Sequence, residues 1–249
     1  MRKLIRADLR RILKKVNVWV LFIVSAFLCA MSVFIGYVSN PIWNGLVFVN
    51  KGVPAPIVYL LTSLAVLLGV YGDDQKSGAL STVIGRGFSR TKVVFAKFLD
   101  SVILLFVMFL IMAVFNYFIA IVLGTHMTAF ETKAYILQYL QNVCALLGYV
   151  TISAMFIYLT NSMPLGIILD IVLVILLSTM KGLLNAIFIV KRYNLTRYDL
   201  DGFLRNAYSN FMLGMTGRGI ISFVLGMVIF VGGAVALSQL IFHVKELDF

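Results

Sequence analysis

Six long runs of apolar residues, separated by more polar connections, dominate the chain. A run of about 18 or more apolar residues can cross the hydrocarbon core of a bilayer as a helix. Barrel strands would instead alternate polar and apolar positions over only about ten residues. The pattern therefore predicts an all-α polytopic membrane protein, one domain over residues 1–249, with six transmembrane helices. The predicted spans are Val16–Val38, Val53–Tyr71, Val93–Leu123, Tyr135–Leu159, Leu165–Met180 (the shortest) and Gly219–Phe242.

The first fifteen residues are amphipathic at the helical period of 3.6 residues. A helix of this kind lies in the membrane interface, with its cations near the head groups and its apolar stripe among the acyl chains. We therefore expect residues 1–15 to form an interfacial elbow before the first span, or a simple basic anchor. The apolar face carries Ile5, Leu9, Ile12 and Val16, and the basic face carries Lys3, Arg6, Arg10 and Lys14.

The composition supports a membrane protein and helps to orient it. The chain of 249 residues is 61% apolar and only 12% charged, whereas soluble domains carry about 25% charged residues. Its 21 basic residues exceed its 10 acidic ones, and basic residues beside spans mark the cytoplasmic side. Seven of them lie in Arg2–Lys15 and five in Lys76–Lys97. We therefore expect both termini and the connection after the second span to be cytoplasmic, and no nucleic-acid partner.

The connection Asp73–Lys92 contains a second, shorter amphipathic pattern. Leu80, Val83 and Ile84 share one helical face. Asp73 and Asp74 precede that face, where negative charge favours a helix N-terminus. The sequence Gly85-Arg86-Gly87 then interrupts it, and Ser89 or Thr91 is placed to cap the third span. A helix this short is unstable alone and needs a surface to dock on.

Four motifs in and beside this connection, Tyr71-Gly72-Asp73-Asp74, Gly78-Ala79-Leu80, Gly87-Phe88-Ser89-Arg90 and Lys97, resemble the signature of type-2 ATP-binding-cassette (ABC) exporter permeases. The amphipathic N-terminus and the broken fifth apolar region are also similar to that family. Asp stands where Glu is more usual, and Gly87-Phe88 replaces a common proline-containing step. Size and layout are closest to bacterial peptide-export and lantibiotic-immunity permeases.

The resemblance implies that the connection is a coupling helix, which inserts into a cleft of a separate ATPase subunit. It also implies a second permease copy, as a homodimer or a related heterodimer. The alternative is an ordinary solvated loop whose charges only set topology. The implied ATPase-coupling residues are Asp73, Asp74, Gly78, Leu80, Val83, Ile84 and Arg90.

No catalytic residue and no metal site is expected in this chain. It has no G-x-x-x-x-G-K-[ST] loop that could cradle phosphates, so any ATP and Mg²⁺ would bind to the partner ATPase. His126 and His243 are predicted on opposite sides of the membrane, and no H-E-x-x-H motif is present. Asp199-Leu200-Asp201-Gly202 lacks the terminal glutamate of a calcium loop and is predicted to be a turn.

Two carboxylates and a glycine stripe stand out within the apolar runs. Asp100 lies one helical turn beyond Lys97, where an ion pair is possible. Asp170 is expected to face the protein interior, either as a structural hydrogen-bond partner or in gating. Gly219, Gly226 and Gly233 recur every seven residues, a spacing that favours helix packing within one chain or between two.

These observations favour one function and leave another open. The main hypothesis is a permease subunit of an ATP-driven exporter in the bacterial plasma membrane, moving an amphipathic or apolar cargo such as an antimicrobial peptide. The alternative is an ATP-independent secondary transporter or a membrane assembly scaffold. Residues 182–216 are expected to form an external helical or re-entrant segment, because charges and interfacial aromatic residues are mixed there.

Overall fold

The computed structural model describes residues 2–40, 43–51, 54–72, 85, 89–179 and 198–244. Within these ranges the protein is all-helical, as predicted, and no strand is present. The helices are α1 (Arg2–Leu13), α2 (Val16–Ser39), α3 (Gly45–Lys51), α4 (Pro56–Val70), α5 (Arg90–Val122), α6 (Ala129–Thr160), α7 (Met163–Thr179), α8 (Leu200–Met212) and α9 (Thr216–Val244).

Four of these helices, α2, α5, α6 and α9, are long and apolar enough to cross a membrane. They correspond to four of the six predicted spans. The other two predicted spans contain α4 and α7, which are apolar but have only 15 and 17 residues. Helix α4 is largely buried among α2, α5 and α7. The protein is therefore a helical bundle with four candidate spans and two shorter apolar helices.

The amphipathic N-terminus forms helix α1, as the periodicity predicted. Ile12 is fully buried against the bundle, whereas Arg6 and Arg10 are exposed. Val16 departs from the prediction, because it begins α2 and is 71% exposed. The chain turns at Lys14 and Lys15, so the apolar face of α1 ends one turn earlier than expected.

Local capping explains where the helices differ from the predicted spans. Helix α6 begins before the predicted Tyr135, because Thr128 and Glu131 form a capping box in which each side chain bonds the other residue's backbone N–H. Helix α6 ends at Asn161, whose left-handed φ of 52° reverses the chain. The sequence Asn161-Ser162-Met163-Pro164 predicts a four-residue turn, with Pro164 suited to the first turn of the next helix. Helix α7 begins at Met163, so only Asn161 and Ser162 separate it from α6. Pro164 lies in the first turn of α7, as expected.

The predicted turn at Asp199–Gly202 is wrong. Asp199 is the N-cap of α8, and its Oδ1 accepts a 2.6 Å hydrogen bond from the Gly202 N–H. The prediction missed this helix start because the isolated motif did not show the apolar face that follows. The described part of the predicted external segment is thus helical, whereas residues 180–197 lie outside the described ranges.

Helix α9 contains one irregular turn. It is α-helical over Thr216–Gly226, π-helical over Met227–Gly232, and α-helical again over Gly233–Val244. The first stretch packs closely on α8, and the last stretch packs on α5 and α6. The π turn therefore joins two halves with different neighbours.

Candidate functional site

The ends of α4, α6 and α9 meet at one end of the bundle. Tyr71, directly after α4, packs edge-on against Tyr158 of α6 with ring centroids 6.0 Å apart. Tyr158 in turn packs on Phe242 of α9 at 5.2 Å. Because Gly72 and Ser89 lie here, on either side of residues 73–88, we call this the linker end.

Helix α1 is fixed to the start of α5 by an ion pair. Lys97 Nζ lies 3.0 Å from Asp8 Oδ2, and the Lys97 side chain is almost fully buried. Asp8 Oδ1 also lies 3.6 Å from the guanidinium of Arg11 on the next turn of α1. Burial makes the Asp8–Lys97 pair sensitive to loss of one partner, because the remaining charge would stay poorly solvated.

Lys15 attaches the end of α4 to the start of α2. Its Nζ donates hydrogen bonds to the carbonyl oxygens of Gly69, at 2.7 Å, and Leu68, at 3.4 Å. The last carbonyls of a helix lack partners within the helix and carry partial negative charge, so a lysine stabilises them. The residues that lead into the 73–88 segment are therefore held by a cation.

Arg90 makes the equivalent contact on the other side of the segment. Its guanidinium donates to the carbonyl oxygens of Phe242, at 3.2 Å, and His243, at 3.0 Å, at the end of α9. Ser89 occupies the N-cap position of α5, although its side chain makes no capping hydrogen bond. Arg90, predicted to contact an ATPase, thus holds α5 and α9 together. We call Asp8, Lys15, Arg90 and Lys97 the clamp.

The remaining predicted coupling residues, Asp73, Asp74, Gly78, Leu80, Val83 and Ile84, lie outside the described residues. Between them and Ser89, only Gly85 is described, and it is exposed. The structure therefore describes the two flanks of the segment, Gly72 and Ser89, and the clamp residues around them.

Asp100 and Asp170, the two carboxylates within the apolar runs, are fully buried, and Asp170 faces the interior as expected. Asp170 accepts hydrogen bonds from Ser63 of α4, at 2.5 Å, and Ser153 of α6, at 3.4 Å. It therefore links three helices. Asp100 is on α5, one turn beyond Lys97, but the 3.0 Å ion pair of Lys97 is with Asp8.

The glycine stripe of α9 is divided. A Cβ added at Gly219 would lie 2.9 Å from the ring of Phe211, and one at Gly226 would lie 2.8 Å from Cβ of Phe203. These two glycines therefore let α9 approach α8 within one chain, which is one of the two expected roles. Gly233 has no neighbour within 4 Å of such a Cβ and does not share this packing.

A buried polar contact at Cys29 was missing from the sequence analysis. Asn116 Nδ2 donates to Cys29 Sγ, at 2.8 Å, and to the Tyr139 hydroxyl, at 2.7 Å. Asn116 is fully buried on α5, so the contact ties α2, α5 and α6 together. An asparagine in the middle of a predicted span was the available signal, because a buried amide requires partners.

Sequence reasoning also missed Asp8, the clamp residue that pairs with Lys97. It is the one acidic residue among the first 72, and an isolated carboxylate within a basic helix was the signal for a specific cationic partner. A scan against protein-family models finds no match for the chain, and a search of the curated proteins finds no significant match.

Proposed function

We propose that this chain is the membrane-spanning permease subunit of an ATP-driven ABC exporter. The observation that supports the proposal best is the clamp around the two flanks of residues 73–88. In this proposal the chain crosses the bacterial plasma membrane six times, with α4 and α7 completing the four long spans. Both termini and the linker end face the cytoplasm.

The clamp suits a segment that has to transmit force. Lys15 holds the end of α4, and the Asp8–Lys97 pair and Arg90 hold the start of α5. A displacement of residues 73–88 would therefore move α4 and α5 together with α1 and α9. A loop that only connects two spans needs none of these contacts.

ATP and Mg²⁺ would bind to a separate ATPase subunit, in whose cleft residues 73–92 would dock. Two permease copies and two ATPases would complete the transporter, as the resemblance implies. The large apolar side chains exposed on α2, α5 and α9 would face lipid. The proposed cargo is an amphipathic or apolar molecule such as a peptide.

Co-purification with a co-expressed ABC ATPase subunit tests the docking step. Changing Leu80 and Val83 together to Asp should abolish co-purification, because both lie on the predicted apolar face. Ser81→Asp adds charge to the same segment away from that face and should leave the complex intact. A complex that survives the double change, with ATP-dependent transport unimpaired, would contradict the assignment.

A second variant tests force transmission separately from docking. The double change Asp8→Asn and Lys97→Gln replaces the ion pair by two neutral polar side chains of similar size. We expect the ATPase to remain bound, while transport per ATP hydrolysed falls. Arg6→Gln, at an exposed position of the same helix, is the control. If transport per ATP hydrolysed is unchanged in the double variant, the Asp8–Lys97 pair does not transmit force.

The burial of Asp100 and Asp170 favours the second candidate, an ATP-independent transporter, because intramembrane carboxylates commonly belong to ion or proton pathways. The change Asp170→Asn separates the two functions, because the amide can accept from one serine through Oδ1 and donate to the other through Nδ2, but it cannot take up and release a proton. A permease should retain ATP-dependent transport with this variant. Loss of transport in a folded variant, together with transport by wild type without ATP, would favour the alternative.

A further inference from the structure

A cavity of about 390 Å³ lies between α6, α8 and the start of α4. Its volume is within the range of about 300–1,000 Å³ that is typical of small-molecule sites. Polar side chains from all three helices line it, unlike the apolar surroundings expected within a bilayer. The cavity is distinct from the clamp, which lies at the other end of α4.

Helix α8 extends deep into the bundle beside α6. The C-terminal end of α8 lies beside Lys133 of α6, whose Nζ donates a 3.0 Å hydrogen bond to the Phe211 carbonyl. Its start packs against Gly148, where the Leu200 side chain fills the space left by the missing Cβ. At 1.5 Å per residue, Lys133 and Gly148 are about 22 Å apart along α6. Helix α8 therefore begins near the middle of the apolar run of α6.

Two opposed charges lie on the part of α8 that lines the cavity. Asp201 and Arg205 are one helical turn apart, and Tyr208 continues the same face. Charged groups at this depth are costly in hydrocarbon and are tolerated where they line a water-filled space. Short helices that end within the membrane form such spaces in several transporter folds.

Helix α6 contributes three carboxamides to the opposite wall, from Gln138, Gln141 and Asn142. Each offers both a donor and an acceptor. Among the described residues, neither Asn142 Nδ2 nor the Tyr59 hydroxyl has a hydrogen-bond partner, although both atoms are buried. Buried polar atoms of native proteins nearly always have partners, which include water and ligands.

We propose that this cavity is a water-accessible binding site for a short zwitterionic peptide segment. The carboxamides match the alternating N–H and C=O groups of a peptide backbone. Asp201 matches an ammonium group, and Arg205 matches a carboxylate. One positive and one negative side chain leave the site close to neutral, so a strongly charged ligand of either sign fits less well. The inference does not depend on an ATPase partner.

Cysteine labelling in lipid nanodiscs, without nucleotide, tests whether water reaches the cavity and whether a peptide binds there. The change Gln141→Cys places a thiol in the cavity, and Leu140→Cys places one beside it on the apolar, outward-facing side of α6. The wild-type chain is the blank, because Cys29 and Cys144 are buried. A charged methanethiosulfonate reagent should label Gln141→Cys at least about ten times faster than Leu140→Cys, because thiolates form in water and not in lipid.

Tetraglycine is the probe for the ligand, and glycerophosphoethanolamine represents a lipid head group. At about five times its dissociation constant, tetraglycine should slow labelling of Gln141→Cys about sixfold by mass action. Adding Arg205→Gln should remove this protection while labelling continues. Equal labelling rates at positions 140 and 141 would contradict the proposal that the cavity is accessible to water. No protection by tetraglycine, or equal protection by glycerophosphoethanolamine, would contradict the proposal that the cavity binds a peptide.

Discussion

The linker end of the bundle adds a buried ion pair to its ring contacts, whereas the opposite end packs mainly through rings. At the linker end, Lys15, Arg90 and Lys97 contact residues that lie from 53 to 153 positions away in sequence. At the opposite end, rings pack in a chain from Tyr37 through Trp43 and Phe48 to Tyr135, with centroids 5.3–6.2 Å apart.

The two ends should therefore differ in how much stability is lost when one side chain is changed. Charge contacts depend on a few atoms, and removing one partner of a buried pair leaves an uncompensated charge. Ring contacts spread dispersion energy over many atoms, so each loss is smaller. The linker end is thus where a single substitution is expected to have the largest effect, which suits the force-transmitting role proposed for it.

The largest expected effect is that of Lys97→Gln. Asp8 would then be left partly buried beside Arg11 alone, which should cost about 3 kcal/mol of unfolding free energy. Unfolding in mixed detergent micelles measures this cost, with Arg6→Gln as the control. Adding Asp8→Asn should recover part of the loss. A double variant whose cost equals the sum of the two single costs would show that the pair is not coupled.

A smaller effect is expected from Gly226→Ala, which tests packing without charge. The new methyl group would meet Cβ of Phe203, and overpacking of this kind costs about 2 kcal/mol. Gly233→Ala is the matched control, because the space around it is open, and it should leave the unfolding free energy nearly unchanged. A comparable loss at Gly233 would contradict the division of the glycine stripe.

The opposite end is tested by Trp43→Phe. The indole Nε1 donates a 2.7 Å hydrogen bond to Thr125 Oγ1, and phenylalanine retains a ring but loses this bond. We expect a loss of about 1 kcal/mol in unfolding free energy. Thr125→Val removes the same bond from the other side and should show a similar loss. Strictly additive losses in the double variant would show that the bond contributes nothing.

The smallest effect is expected from Arg90→Gln. Arg90 stabilises the final carbonyls of α9, a contribution of about 0.5 kcal/mol for a partly exposed cation at a helix end. The loss should shrink at high salt, because exposed charges are screened, whereas the loss in Trp43→Phe should not. Lys92→Gln, at an exposed position on the same turn, is the control. A salt-independent loss would mean that Arg90 acts mainly through packing.

The apolar pattern predicted the helices well but not their ends or contacts. Helix α1 and the long helices followed from periodicity and run length. The start of α6 moved because of the Thr128–Glu131 capping box. Helix α3, in the connection between the first two predicted spans, was not predicted, since seven residues carry too little periodic signal.

The clamp and the cavity could not be read from local sequence, because each brings together side chains from distant segments. The pairing of Asp8 with Lys97 requires α1 to pack against α5, which no spacing specifies. The carboxamides at positions 138, 141 and 142 already shared one face of a predicted span. Their significance emerged only when α8 placed Asp201 and Arg205 opposite them.

The π turn at Met227–Gly232 changes the phase of α9. Residues seven apart on a regular α-helix stay within about 20° of one another around the axis, so Gly219, Gly226 and Gly233 would form one continuous seam. The wider turn lies between the second and third glycines and rotates everything after it. The glycine repeat therefore faces two directions around the helix axis, and converting the π turn to regular α geometry, with no residue removed, would bring Gly233 back into line with the other two.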